Sequence, residues 1–577
     1  MNWYVTAAGI CGVLSFSAAV IADDRTDYFS NDASTQYEYG NGDVFAPQND
    51  NSFDNIPRVR ISKFKLKGFV DGEVLSAEID GVSDIIEQDR SDRSGLYSVA
   101  ELQELTRKVT NFYRDQGIIL AKAYIPEQRI ENGTLTMHLV PGRLESVQIA
   151  NNDLYSEKTL TQPFTHLIGE PVNANALELA LLRFSRYPGV DASSSLMPGE
   201  SPGTTQLLVS VKDETPFNGY LVFDNHGKKN TGKQRGTLAA EFNNPARNAD
   251  RLAAQLTVSL NPSNSLSGQF EYELPLDTLD MSFGERIDRF NNNSAFKLRY
   301  ATSRFDVGGD FEDLGLSGNS QVLDLRYAKN LKITQISNWS VEGGLSLKRS
   351  ATDANGTTQS EPKLSVLSLA TNHYSRDQRW GGGQNVTSAT ISAGLPDFLG
   401  SLESGSDASS GRGNGQGEFA GGDFTKISLN YQRVQNYKEQ FLAARFGLQW
   451  SGDMLTAQEQ YAIGGPNNVR GYPAGDFVAD TAIFMSFEYI GYSYASQLSL
   501  PVKNLKLAAF FDFAYGTLNN PTNSDNGHPT AMSVGTYGSF DFADQYQAQM
   551  DLGIPIGGDD PTDDTKFQVT FSFKRNF

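Results

Sequence analysis

The sequence predicts a membrane β-barrel of sixteen antiparallel strands preceded by two small α+β units. Three observations carry this expectation. From about Phe217 to the C-terminus, segments of alternating apolar and polar residues recur with no helical period. The connections between them tend to be long after odd-numbered segments and short after even-numbered ones, as a barrel with both chain ends on one side requires. The last segment carries its aromatics on one face and ends on Phe577.

Composition permits this class without requiring it. An apolar content of 39% and a mean hydropathy of −0.40 exclude a bundle of membrane helices. They leave room for a barrel, because only alternate residues of its strands face lipid. The formal charge of −20 argues against nucleic acid as a partner, which would need a basic face to displace counterions.

Residues 1–22 hold no charged side chain and contain the apolar run Val5–Ile21. They end in Val20-Ile21-Ala22, just before Asp23-Asp24, and read as a secretory signal peptide lacking the usual early Lys or Arg. An N-terminal anchor is the plainer alternative. Cys11, the only cysteine, lies inside this segment, and Ile10 before it is too bulky for a lipoprotein cleavage site. A mature chain without Cys has no disulfide, no thiolate metal site and no Cys nucleophile. Residues 23–56, rich in Asp, Asn, Ser and Gly, are expected to form a disordered arm or linker.

The first α+β unit is expected over 57–142. Arg58–Gly68 alternates as a strand does, and Ser98-Val99-Ala100-Glu101 is a capping box. It opens a helix whose buried face is Leu102, Leu105, Val109, Phe112 and Tyr113, with Gly117 as its left-handed stop. Strands Ile118–Ile125 and Thr134–Leu139 follow. The second unit, over 143–215, repeats the plan. Leu144–Ile149 is a strand, and Leu160, Phe164 and Leu167 share one helical face ended by Gly169. Leu177, Ala180, Leu181 and Phe184 form another face, stopped at Pro188-Gly189, and Leu207–Val211 closes the unit.

The barrel is expected over 216–577. Its segments are 219–227, 234–243, 250–260, 265–274, 295–304, 319–329, 339–349, 363–374, 386–394, 423–433, 441–450, 482–491, 504–513, 531–540, 545–554 and 566–577. The Gly/Ser-rich 395–422 and the stretch 451–481 are long connections on the extracellular side. The connection 275–294 breaks the rule, being long on the periplasmic side. In the last segment Phe567, Val569, Phe571, Phe573 and Phe577 share a face interrupted by Arg575, while Gln568, Thr570, Ser572 and Lys574 face the lumen. The closing aromatic Phe577 is the usual assembly signal of outer-membrane barrels, which makes the barrel-assembly machinery a partner during biogenesis and outer-membrane lipid the surrounding medium.

Between the eleventh and twelfth segments, Tyr461-Ala462-Ile463-Gly464-Gly465 runs into Asn468-Val469-Arg470-Gly471-Tyr472. A Val-Arg-Gly-Tyr string alone is weak. Placed in this loop after Ile-Gly-Gly, with two α+β units ahead of a sixteen-segment barrel, it resembles the two-partner secretion transporters. That is the TpsB family of ShlB/FhaC/HecB type, in the barrel superfamily that includes BamA. The resemblance covers about 57–577. Phe112-Tyr113-Arg114 with Gly117, Ala123 through Pro126, Gln128, Gly133 and Leu135 are similar to the family's first POTRA domain. Asp224-Asn225-His226-Gly227, Thr231-Gly232 and Arg235 are similar to its first barrel hairpin.

The resemblance implies that this loop folds back into the lumen, supported by Gly464 and Gly465, and that Arg470 meets an acidic residue on the inner wall. The matching position is Asp512, in Phe510-Phe511-Asp512-Phe513-Ala514, where the family usually has Gly in place of Ala514. A charge buried in a lumen is costly unless paired, and guanidinium–carboxylate geometry is directional. The plainer reading is that Arg470 lines a hydrated pore. For the POTRA domains the resemblance implies a sheet edge to which an unfolded client adds a strand; the alternative is that they are spacers or aids to barrel assembly.

Gly381-Gly382-Gly383 lacks the Lys-Ser/Thr of a phosphate loop. The five His residues are scattered, and Asp559-Asp560 with Asp563-Asp564 read as a solvated acidic loop. No enzyme activity, metal or cofactor is expected. The reading is a translocator in a Gram-negative outer membrane, with POTRA domains in the periplasm, that recognises an unfolded haemolysin- or adhesin-like exoprotein and secretes it through the barrel. An assembly factor for outer-membrane proteins and a passive solute channel are the alternatives.

Overall fold

In a computed structural model, the residues described are 58–68, 79–261, 264–278, 293–438, 440–492, 502–543 and 545–577. The expected signal peptide (1–22) and arm (23–56) lie outside them, as does most of the 275–294 connection. The chain divides into a unit ending at Glu214 and a barrel unit beginning at Thr215.

The first module of the N-terminal unit pairs β1 (Val59–Arg60) with β3 (Leu96–Tyr97), and builds a three-stranded sheet from β2 (Lys63–Gly68), β5 (Thr134–Val140) and β4 (Lys122–Tyr124). Helices α1 (Ile79–Asp92) and α2 (Val99–Asp115) supply the rest of its core. The capping box closes in both directions: Glu101 N–H donates to Ser98 Oγ at 3.2 Å, and Ser98 N–H donates to Glu101 Oε2 at 2.7 Å. On α2, Leu105, Val109 and Tyr113 are buried, with Leu102 and Phe112 packed at the core's margin. The expected strand from Ile118 shrinks to β4, because Ile118 bridges Asn173 of the next module instead.

The second module is the sheet β6 (Arg143–Ala150), β8 (Thr204–Glu214) and β7 (Val190–Pro198), covered by α3 (Glu157–Thr161) and α4 (Ala174–Phe184). The helix expected around Leu160–Leu167 is α-helical only to Thr161. It tightens to a 3₁₀ turn over Gln162–Leu167, where Pro163 cannot donate to an α-helical ladder. Hydrogen bonds join the two modules: Ala174 N–H donates to Gly117 O at 2.8 Å, and Val172 N–H donates to Gly142 O at 3.0 Å. Gly117, at φ +90°, therefore ends α2 and also meets the next module.

Among the described residues, sixteen long antiparallel strands close the barrel. They are β9 (Phe217–Asp224), β10 (Gln234–Asn243), β11 (Arg251–Asn261), β12 (Ser265–Pro275), β13 (Ser294–Asp306), β14 (Leu316–Ile333), β15 (Ser337–Ala354), β17 (Lys363–Asp377), β18 (Gly383–Gly394), β19 (Thr425–Tyr437), β20 (Gln440–Ser451), β23 (Thr481–Tyr492), β24 (Lys503–Thr517), β25 (Thr530–Phe542), β26 (Tyr546–Gly558) and β27 (Gln568–Asn576). The short β16 (Thr357–Ser360) extends the end of β15, and β21 (Tyr461–Ile463) and β22 (Phe477–Ala479) pair only with each other. Every expected segment overlaps one long strand. β12 and β13 pair without a break from Ser265↔Phe305 to Pro275↔Ala295, so the long 275–294 connection leaves the register intact.

Alternation explains the two faces. Leu221, Phe223, Leu238, Leu369, Ile391, Leu507 and Phe573 are exposed on the outside, the apolar face expected of a membrane barrel. Thr237, Thr257, Asp324, Ser346, Asp512 and Thr570 are buried on the inside. β14 and β15 run eighteen residues each, beyond the roughly 9–11 that a bilayer-crossing strand needs.

β27 returns to pair with β9 from Ser572↔Asp224 to Asn576↔Tyr220. Phe577 extends the seam through paired backbone bonds with Gly219 at 2.9 and 3.0 Å. Its ring packs over Gly219, where a Cβ would come within 2.4 Å of it and the ring would have to shift.

Candidate functional site

The connection from β20 to β23 carries the Val-Arg-Gly-Tyr string and folds into the barrel. Its two arms are β21 and β22, paired from Tyr461↔Ala479 to Ile463↔Phe477. At the tip, Gly464 and Gly465 adopt φ of +99° and +105°. A Cβ at Gly464 would lie 2.5 Å from Pro473 O, and one at Gly465 2.9 Å from Ala474 Cα. The turn they permit is closed by Gly465 N–H donating to Val469 O and Tyr472 O, and by Asn468 Nδ2 donating to Tyr461 OH at 3.0 Å.

Turning there presents Arg470 to the wall. Its Nε and Nη2 donate to Asp512 Oδ2 and Oδ1, both at 2.8 Å, and its backbone N–H reaches Oδ2 at 3.2 Å. Nη1 lies 2.9 Å from Glu488 Oε1, and Nη2 is 3.2 Å from Ser486 Oγ. The guanidinium carbon sits 3.5 Å from the centroid of the Phe510 ring. Arg470 is 5% exposed and Asp512 0%, so the pair is far from bulk water. At such burial a planar fork matched to a carboxylate and stacked on a ring fixes direction as well as charge.

Backbone shape completes the fit. A Cβ on Gly471 would lie 2.7 Å from Ser533 Cβ and 2.9 Å from Pro555 N; one on Gly553 would lie 2.5 Å from Arg470 O. Glycine on the loop and glycine on β26 together let the two backbones touch. Val469 and Tyr472 are buried with Ile463, Ala479, Ala482, Phe484, Ala514 and Ala531. Ala514, where a glycine was expected, contributes its methyl to this cluster. Tyr472 OH donates towards Gly557 O and Asp559 O, both at 3.0 Å.

The structure thus brings together Gly464, Gly465, Val469, Arg470, Gly471, Tyr472 and Asp512, and places Phe577 elsewhere, at the seam. Sequence reasoning missed Ser486, Glu488, Phe510 and Gly553. Each lies on a lumen-facing position of a strand that was foreseen, but nothing local separates it from its neighbours. It also missed Asp480, at the end of the same loop. Arg412, from the Gly/Ser-rich connection between β18 and β19, grips Asp480 through Nη1–Oδ1 at 2.5 Å and Nη2–Oδ2 at 2.7 Å. Asn519 N–H, from the β24–β25 connection, donates to the same carboxylate at 2.8 Å. Three external connections therefore converge on one buried aspartate.

Among the described residues no group of three or more His, Cys, Asp and Glu side chains is arranged to hold a metal ion. Asp559 Oδ2 accepts from Thr530 N–H at 2.7 Å, and Asp563 Oδ1 accepts from Thr565 N–H at 3.2 Å, so these acidic residues cap turns.

Comparison with known proteins gives two family matches. The model described as haemolysin secretion/activation protein ShlB/FhaC/HecB matches residues 203–538, more than half of the chain. The model of the ShlB-type POTRA domain matches residues 95–142. Among curated relatives, the heme/hemopexin transporter protein HuxB of Haemophilus influenzae (strain 86-028NP) is 24% identical over 475 residues, covering 80% of this chain and 78% of its own. The outer membrane transporter CdiB of Dickeya dadantii (strain 3937) is 26% identical over 381 residues, 65% of this chain and 63% of its own. Among solved structures, CdiB from Escherichia coli superposes with a TM-score of 0.72 at 18% identity over 100% of both chains, a likeness of fold.

Proposed function

Since this chain belongs to the haemolysin secretion/activation protein family ShlB/FhaC/HecB, a two-partner secretion transporter of the outer membrane with its POTRA domains in the periplasm, we propose that it captures one unfolded exoprotein on those domains and passes it to the cell surface through the barrel. The observation that carries this reading is the inward loop. A polar lumen closed by a loop seated on Arg470 and Asp512 is a pore with a removable obstruction. A passive solute channel leaves the two periplasmic modules without a task. The pore passes its cargo without catalysing a reaction.

Capture would use strand addition, in which main-chain pairing tolerates many sequences while flanking side chains select. The outer strand β7 of the second module offers nine residues, including Ser193-Ser194-Ser195. On the opposite edge β6 already bonds the 168–171 segment, through Gly169 N–H to Leu144 O at 2.7 Å and Leu144 N–H to Glu170 O at 3.0 Å. The periplasm holds no ATP, so folding of the cargo outside would prevent its return.

The test is binding. The purified chain should bind the N-terminal domain of a large exoprotein encoded beside it, and Ser194→Pro on β7 should weaken that binding at least tenfold. Binding that is absent, or a deletion strain that still secretes the exoprotein, would end the export reading. Defective insertion of other outer-membrane proteins in that strain would favour an assembly factor.

A further inference from the structure

The inward loop is held at a second place, on a different arc of the barrel wall from Arg470. Glu459, 1% exposed, lies between two lysines. Lys348 Nζ on β15 is 2.5 Å from Oε1, and Lys426 Nζ on β19 is 2.6 Å from Oε2. The neighbouring Gln458 donates through Nε2 to Ser320 Oγ on β14 at 3.2 Å, and Gln449 on β20 donates to Glu459 O at 3.0 Å. Arg470 and its flanking glycine touch β23, β24, β25 and β26 instead. β15 and β26 are the seventh and fifteenth of the sixteen long strands, half the ring apart. The Glu459 end is tied to the sixth, seventh, tenth and eleventh strands and the Arg470 end to the twelfth to fifteenth, so the loop is anchored over two adjoining arcs of the wall.

The two ties differ in kind. Arg470 is held by a rigid fork, a stacked ring and backbone contact through Gly471 and Gly553. Glu459 is held by two compact ammonium groups on flexible four-carbon stems, which can follow or release a carboxylate without rebuilding the wall. Release of the first would break packed backbone surfaces; release of the second exchanges hydrogen bonds that wall side chains donate to the Glu459 carboxylate and carbonyl.

We propose that Lys348, Glu459 and Lys426 form the releasable lock of the pore, and that Arg470–Asp512 is the hinge that stays seated while the Glu459 end swings clear. This deepens the translocator reading and rests on it. It also sets the charge of the opened path: with Glu459 withdrawn, two uncompensated lysines face the lumen.

Conductance of the purified full-length chain in a planar bilayer, without any client, tests the lock. Glu459→Gln should raise the frequency of large openings at least fivefold and move the reversal potential towards anion selectivity. Lys348→Met with Lys426→Met should raise openings without that anion shift. Wild-type conductance in a Glu459→Gln protein that is still a heat-modifiable barrel would overturn the proposal.

Cross-linking tests which end moves. In a Cys11→Ser background, Ser320→Cys with Gln458→Cys bridged by a short reducible linker should suppress openings until reduction. Asp476→Cys with Thr562→Cys joins the loop's return arm to the β26–β27 connection, where the native side chains already bond. That bridge should leave openings unchanged. Openings that survive the first bridge, or that only the second suppresses, would overturn the assignment. If both bridges act on conductance as expected while the wild type exports nothing, the lock stands and the export reading falls.

Discussion

The guanidinium of Arg470 spans both carboxylate oxygens of Asp512 at 2.8 Å, while its third nitrogen faces Glu488 at 2.9 Å. One loop cation thus answers two wall carboxylates on neighbouring strands. Removing it strips Asp512 of its cation in a dry site and leaves Glu488 with Arg445 alone, at 3.3 Å, and removing a single partner of a buried pair costs about 3–5 kcal/mol. Arg470→Ala should lower the temperature at which the detergent-solubilised barrel loses heat-modifiable mobility, and abolish secretion. Arg470→Lys keeps the charge without the fork and should fall between. The exchange Arg470→Asp with Asp512→Arg should rescue only partly, because the new carboxylate would stand beside Glu488. Full rescue would show that Glu488 is not a partner.

The glycine contact between loop and β26 predicts a steric defect with every charge retained. Gly553→Ala would put a methyl 2.5 Å from Arg470 O, against backbone that cannot turn aside. Overpacking of this kind costs about 1–3 kcal/mol. Secretion should fall several-fold with normal barrel yield, and loop residues near 470 should gain protease sensitivity. Unchanged secretion would mean the loop is not seated on β26.

The seam contains a side chain acting as backbone. Asn225 Nδ2 donates to Val569 O at 2.9 Å, and its Oδ1 accepts from Phe571 N–H at 2.7 Å, continuing the β9–β27 ladder past Asp224. Asn225→Ala should cost about 1–3 kcal/mol by leaving the Phe571 N–H without that acceptor. Faster hydrogen exchange confined to 567–573 and 221–226 would be the sign. Asn225→Asp keeps the acceptor and should lose less.

In the second module, Glu145 predicts a pH dependence. Ser201 and then the backbone N–H of Glu200, at 2.7 Å, hold its carboxylate below the ordinary value of 4.5. A depressed carboxylate contributes stability that is fully present above the unfolded value and is lost as pH falls through the folded one. Protection of the 199–204 turn, corrected for intrinsic exchange, should therefore hold at pH 7 and decline below about 4.5. Glu145→Gln should remove this decline.

How much of this was legible follows from where the constraint lies. Lipid outside and polar groups inside force alternation on every strand, so all sixteen could be read from local pattern, and loop lengths oriented them. β7 escaped because Ser193-Ser194-Ser195 alternates in nothing. The 3₁₀ turn at Pro163 escaped because a 3.6 period survives one proline. Arg470 and Asp512 were found through a resemblance. Glu459 had no such help: its lysines lie 111 and 33 residues away, on positions shared by many lumen-facing polar residues. Which of them meet depends on the path of the loop, and local sequence does not encode that path.

The most direct measurement is secretion in a strain lacking this chain, complemented with wild type or with the Arg470→Ala variant, scored by the neighbouring exoprotein in the culture medium. The account predicts that wild type restores secretion while the variant, inserted in equal amount, leaves the exoprotein in the periplasm. Secretion in the uncomplemented strain, or undiminished secretion with the variant, would contradict it.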